Sequence, residues 1–324
     1  HQSCEGAGHI EQAHKIVDMG QSAYHQQLCG DLGLDGNTTA SMGTAANMQY
    51  VSVQSAEYEE FSVTALVTAG VEGNAGCAGD PAMWVERNGS YEKTAEAGTI
   101  NTMLFFNVPL SPAALTRAAA TMTEAKCAVL NELAIRSRYS GEYATGTGTD
   151  QFCIAAPIAD EPIITWTGKH SKIGELIGTA VRNATREALL WQNGLEPSRT
   201  RNIHHALRRL GFSEEFFKQR LREELDDEVH TFFTRNLEGV IHEPQVSACA
   251  YAIAALQDRV RYKTLPDHVG LEQIVNQASL LAATMAAAPE RFADMRKALL
   301  PLQETELPEL IFQAILLGWN EKWK

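Results

Sequence analysis

The residues that could do chemistry lie in short polar stretches of the first two-thirds of the chain. Thr68-Ala-Gly-Val-Glu-Gly-Asn-Ala75 runs from an apolar segment into a Gly-rich turn holding Glu72 and Asn74. Glycine lets a backbone approach a ligand closely; an ordinary tight turn has the same composition. Gly98-Thr99-Ile100-Asn101 repeats the theme at the entry to a second apolar segment. Its Thr and Asn side chains can hydrogen-bond an amide or stabilise a turn. Thr123-Glu124-Ala125-Lys126 falls inside a long helical pattern. Glu124 and Lys126 are two apart and share no helix face. One of them therefore turns toward the apolar side or a polar site, where an unpaired charge is costly; a solvated face for Glu124 stays open beside a functional acid. Gly146-Thr147-Gly148-Thr149-Asp150 sets hydroxyls and a carboxylate on a pliable backbone whose N–H groups could meet a substrate oxygen. His170 precedes a second helical pattern, as a cap, a general base or a metal ligand.

Several common designs are absent. There is no Gly-Lys-Ser/Thr phosphate loop and no Gly-x-Gly-x-x-Gly fingerprint. There is also no Gly-x-Ser-x-Gly elbow and no His-Glu-x-x-His zinc pair. Cys4, Cys29, Cys77, Cys127, Cys153 and Cys249 are scattered, with no zinc-like spacing. Free thiols in a reducing compartment are expected; the sequence names no metal ligands and no required cofactor, and leaves a metal requirement open. His204-His205 with Arg199, Arg201, Arg208 and Arg209 forms a local basic spot, read as a solvated helix face or an anion site.

These residues need elements to hold them. Val63–Val67, Met103–Val108 and Phe152–Ala156 are short apolar runs bounded by Gly, Asn, Asp or Pro and read as strands. Ser111-Pro112 opens a breaker-free run, Ala113–Leu133, as an N-cap and first-turn proline should. Ile173–Trp191 is a second helix, with Ile173, Ile177, Val181 and Ala184 on one face. After Pro197 glycines thin out. Ser213-Glu214-Glu215 starts a helix, and others are expected near 226–238, 244–262, 268–287, 290–300 and 306–322, with prolines at starts or gaps. Ile311, Ile315 and Trp319 make a stripe that is core packing or a homo-oligomer contact. The expectation is an α+β domain over 1–198, a mixed sheet with long helices, followed by an all-helical domain over 199–324. The 324 residues are ample for two such domains. The net charge of −13 argues against nucleic acid and anionic membranes as partners. The polar first eight residues are set aside. No secretory signal is expected, and the apolar run at Leu280–Ala288 is too short to span a bilayer.

Taken in order, Thr68–Ala75, Gly98–Asn101, Thr123–Lys126, Gly146–Asp150 and His170-Ser-Lys-Ile-Gly-Glu-Leu-Ile177 resemble the adenosylcobinamide amidohydrolase family over about residues 40–193. Residues 199–324 are not part of the resemblance. It implies a cytoplasmic enzyme of corrinoid salvage that hydrolyses the amide joining the ring propionate to aminopropanol, releasing adenosylcobyric acid. Amide hydrolysis needs an activated nucleophile, donors for the oxyanion and a proton for the leaving amine. Glu124, Asp150 and His170 are candidates for acid or base. Thr147 and Thr149 could position water or attack, and Lys126 could stabilise negative charge. Asn74 and Asn101 could form the oxyanion site, with Glu72, Thr99, Gly146 and Gly148 contacting substrate. Action on another metal-chelate or peptide-like amide, and non-catalytic corrinoid binding, are the competing readings. The acidic balance is compatible with a cationic corrinoid.

Overall fold

The computed structural model describes residues 15–16, 18–82, 85–87, 90–91, 98–161 and 163–323. The first eight residues and Cys4 lie outside them. The chain divides into two compact units, His1–Leu195 and Glu196–Lys324.

The first unit is a mixed α+β fold. After a short helix, α1 (Gln21–Asp31), strands β1 (Ser52–Tyr58) and β2 (Phe61–Ala69) form an antiparallel hairpin. Two-residue strands follow: β3 (Ala75–Gly76), β4 (Glu86–Arg87) and β5 (Ser90–Tyr91). β6 (Ile100–Phe106) pairs antiparallel with β2, and β8 (Gln151–Ala155) pairs parallel with β6, so the main sheet runs β1-β2-β6-β8. The tiny β7 (Gly146–Thr147) pairs with β3. One sheet face is covered by α2 (Pro112–Glu132) and α3 (Lys172–Asn193), α3 over β1 and β2, and α2 beside it against β8.

Local chemistry sets these helices. Ser111 Oγ accepts from Ala114 N–H at 3.2 Å, with Pro112 in the first turn. Ser171 Oγ accepts from Gly174 N–H at 3.2 Å. Ile173, Ile177, Val181 and Ala184 are all buried against the sheet. Strand β1 escapes an apolar-pattern reading because polar residues face inward: Ser52 is fully buried, and Ser52 Oγ and Gln54 Nε2 donate to Glu187 of α3 at 2.6 and 2.8 Å.

The second unit is all helical: α4 (Pro197–Thr200), α5 (Ile203–Leu207), α6 (Glu214–Glu224), α7 (Asp227–Arg235), α8 (Leu237–Ile241), α9 (Pro244–Arg261), α10 (Asp267–Met285), α11 (Phe292–Leu299) and α12 (Leu307–Lys322). Phe217 lies at its centre, its ring 5.3 Å from Phe212, 5.9 Å from Phe233 and 6.0 Å from Phe312. Ile311, Ile315 and Trp319 are buried in this same core, so their stripe is packing and is not available as an oligomer contact. The basic spot is split: Arg199, Arg201 and Arg208 stay exposed, while Arg209 and His204 are buried. Arg209 turns inward to grip Asp258 with two bonds, 2.7 and 2.6 Å, and His204 stacks on Phe212 at 5.4 Å between centroids. Burial lowers the His204 pKa. An anion site or solvated face holds for neither residue. Among the described residues no helix is long and apolar enough to cross a membrane. Cys29, Cys77, Cys127, Cys153 and Cys249 are free thiols.

Candidate active site

Asp150 sits just before β8, at the end of the sheet where β6 begins. Ile100 N–H donates to its Oδ1 at 2.9 Å and Thr147 Oγ1 donates to the same atom at 2.5 Å. Its other oxygen is ion-paired with Lys126, reaching across from α2. The pair is mostly buried, with side-chain exposures of 13% and 18% for Lys126 and Asp150. Gly146 makes room for it: a Cβ there would lie 2.8 Å from Lys126 Nζ and closer still to Asp150 Oδ2. The helix therefore resolves its own ambiguity. Lys126 turns inward, and Glu124, about 200° away around the axis, turns outward to Lys169 at 2.8 Å with half its side chain exposed. The Lys169 hydrogen bond lowers the Glu124 pKa.

A second group packs behind Asp150. The Thr99 and Thr149 hydroxyls are bonded to each other, and Thr149 Oγ1 also donates to Gly98 O at 2.7 Å. Gly148 N–H donates to Asn74 O at 3.3 Å. Asn74 is completely buried, yet among the described residues neither its Oδ1 nor its Nδ2 has a partner. Gly98 is pressed against it, because a Cβ there would stand 2.5 Å from Asn74 Oδ1. Each such orphaned group costs about 1–3 kcal/mol. Asn101, buried on β6, donates through Nδ2 to Gly43 O at 2.7 Å and leaves its Oδ1 unpaired.

The turns carrying these residues are stitched by a node that sequence reasoning missed. Asp80 Oδ2 accepts from Cys77 N–H at 2.7 Å and from Ser137 Oγ at 2.5 Å. Burial works against its charge, but hydrogen bonds from Ser137, Ser140 and Cys77 outweigh it and lower its pKa. Arg138 adds a bond to Glu72 O at 2.9 Å.

The structure thus gathers Thr99, Lys126, Gly146, Thr147, Thr149 and Asp150, with Asn74 and Gly148 directly behind. Asn101 lies one residue along β6, opposite Gln151. Glu72 is an exposed turn residue that joins through its backbone oxygen. Glu124 and His170 are exposed away from Asp150, and the cap that His170 could have supplied comes from Ser171.

A cleft of about 160 Å³ opens beside the ion pair, lined by Lys126 and Asp150 with Thr102, Met122, Thr123 and Phe152 among its walls. Met122 and Phe152 were hidden in apolar patterns; the signal for them is spacing, one turn before Lys126 and two residues after Asp150. A cleft this small admits one arm of a ligand, since sites for whole small molecules run to about 300–1,000 Å³. Carboxylate, ammonium and hydroxyls at its lip can activate water and meet an oxyanion. Among the described residues no three His, Cys, Asp or Glu side chains gather as metal ligands would. A larger cavity of about 440 Å³ lies in the helical unit and contains none of these groups.

Residues 1–197 match the sequence model of the adenosylcobinamide amidohydrolase family. The chain belongs to this family. An uncharacterised protein of Methanocaldococcus jannaschii is 36% identical over 183 residues, 53% of this chain and 71% of that one. The adenosylcobinamide amidohydrolase of Methanosarcina mazei is 32% identical over 165 residues, 48% of this chain and 69% of its own. No solved structure matches. The family match ends where the helical unit begins, and every gathered site residue falls within it.

Proposed function

We propose that the protein hydrolyses the amide joining the corrin ring's propionate to aminopropanol in adenosylcobinamide, yielding adenosylcobyric acid. The observation that carries this reading is the Lys126–Asp150 pair at the lip of a narrow cleft, inside the family-matching part of the chain. The cleft suits a single amide arm, with the ring left outside.

In this mechanism water enters beside Asp150 and attacks the amide carbonyl carbon. Asp150 takes the water's proton as general base. Lys126 Nζ faces the carbonyl oxygen and stabilises its developing negative charge. When the C–N bond breaks, Asp150 returns the proton to the departing amine nitrogen. Ile100 N–H and Thr147 Oγ1 fix the carboxylate throughout, at 2.9 and 2.5 Å.

The test is direct. Full-length protein incubated with adenosylcobinamide should release aminopropanol and adenosylcobyric acid, followed by mass spectrometry. Asp150→Asn should lower kcat about 100- to 10,000-fold. Folded wild-type protein giving no product across a series of added metals would refute the reading.

A further inference from the structure

Asn74 is unlike the other well-bonded asparagines of the first unit. Asn107, for instance, uses both ends of its carboxamide, Nδ2 to Glu60 O at 2.7 Å and Oδ1 from Ser62 N–H at 2.8 Å. Asn74 uses neither, although it is completely buried. Gly98 is pressed against it, where a Cβ would stand 2.5 Å from Oδ1. Gly148 and Thr149 are themselves exposed. Beside it the Thr99 and Thr149 hydroxyls are bonded to each other, and Thr149 Oγ1 donates to Gly98 O at 2.7 Å.

We infer that Asn74 is a specificity residue that binds a primary carboxamide arm of the substrate, admitted when the Thr99–Thr149 clasp opens. An asparagine with both ends free offers an acceptor and a donor side by side. A primary carboxamide presents the matching carbonyl oxygen and cis N–H on one edge, so both bonds close at once. A trans secondary amide presents these two groups on opposite edges and closes only one. The bond to be cut is secondary and is left to Asp150 and Lys126; Asn74 reads a neighbouring arm. The inference rests on the corrinoid reading above, because the corrin ring carries primary carboxamide arms.

Full-length wild type, Asn74→Leu and Asn74→Ala are titrated by absorbance with cobinamide and with cobyrinic acid, whose arms end in carboxylates. Thermal melts of the ligand-free proteins accompany the titrations. Wild type should prefer cobinamide. Asn74→Leu should bind it about 10- to 100-fold more weakly, lose the preference between the two ligands, and melt no lower than wild type, since it removes polar atoms that had no partner. Asn74→Ala, which leaves space instead, should show the same loss of preference. Unchanged cobinamide affinity in the variants, a retained preference, or a clear fall in the ligand-free Tm of Asn74→Leu would overturn the inference. Turnover is followed separately. Preferential binding without aminopropanol release refutes the hydrolase and leaves this inference standing. Release with unaltered binding in the variants refutes this inference alone. Wild type that binds neither ligand refutes both.

Discussion

Both units of the chain bury an acid against a base, and the two pairs are built to opposite ends. In the helical unit Arg209 meets Asp258 fork to fork, with side-chain exposures of 1% and 8%, and Arg261 adds a bond to the same carboxylate at 3.2 Å. Phenylalanines fill the core of that unit. In the α+β unit Lys126 meets Asp150 at one oxygen only, while the other is held by Thr147 and Ile100, and a cleft borders the pair. The bidentate pair is enclosed in the helical core and stabilises it. The single-point pair borders an open cleft. Charge and burial alone do not distinguish the two pairs; geometry and access do.

The largest effect that tests this contrast is expected in the helical unit. Asp258→Ala leaves the Arg209 guanidinium buried without its counter-charge, which should cost about 3–5 kcal/mol. Denaturant unfolding measures it, and a loss under 1 kcal/mol would remove the claim that the pair is structural.

Gly146→Ala comes next. Its methyl group has no room beside Lys126 Nζ and Asp150 Oδ2, and overpacking of this kind costs about 1–3 kcal/mol. Because the displaced groups are the proposed reactive pair, kcat should fall together with stability. Normal kcat and Tm would show that the pair tolerates movement.

Acid should separate the units further. Burial lowers the His204 pKa below its usual 6.5, so the fold favours the neutral ring. That stability is present above about pH 6.5 and is lost as pH falls below it, because the unfolded chain takes up the proton first. Asp80 has a lowered carboxylate pKa; its contribution persists to lower pH and is lost only as pH falls through the carboxylate range below about 4. Melts from pH 8 to 4 should show His204→Phe flattening the decline near pH 6. An unchanged profile would mean that His204 does not set it.

The smallest effect is expected at Glu124. Its side chain is half exposed and pairs with Lys169 on the outer flank of α2. Glu124→Gln should keep kcat/KM within about twofold of wild type, and a hundredfold loss would bring Glu124 back into the site.

Much of the fold was legible because its signals are local. Ser111-Pro112 and Ser213 announce helices through backbone N–H groups one turn away, and the strands β2, β6 and β8 are apolar runs with clear breakers. Where partners are distant in sequence, that legibility fails. Strand β1 turns Ser52 and Gln54 toward Glu187, 135 and 133 residues on, and no window of sequence contains both ends of that interaction. The same limit hid Asp80, whose partner Ser137 is 57 residues away.

By itself the sequence determined the α+β and all-helical character of the two parts, the caps that start the long helices, and the ordered polar motifs that place the chain in its family. It also named Asp150, Lys126, Thr147 and Asn74 among the candidates. Only the tertiary structure shows which of them lie together. Pairing of β6 with β8 brings Ile100 to Asp150, the face of α2 turns Lys126 in and Glu124 out, and His170 stays on the surface. Helical and strand patterns depend on neighbours a few residues apart, whereas a reactive constellation depends on where separate elements end in space.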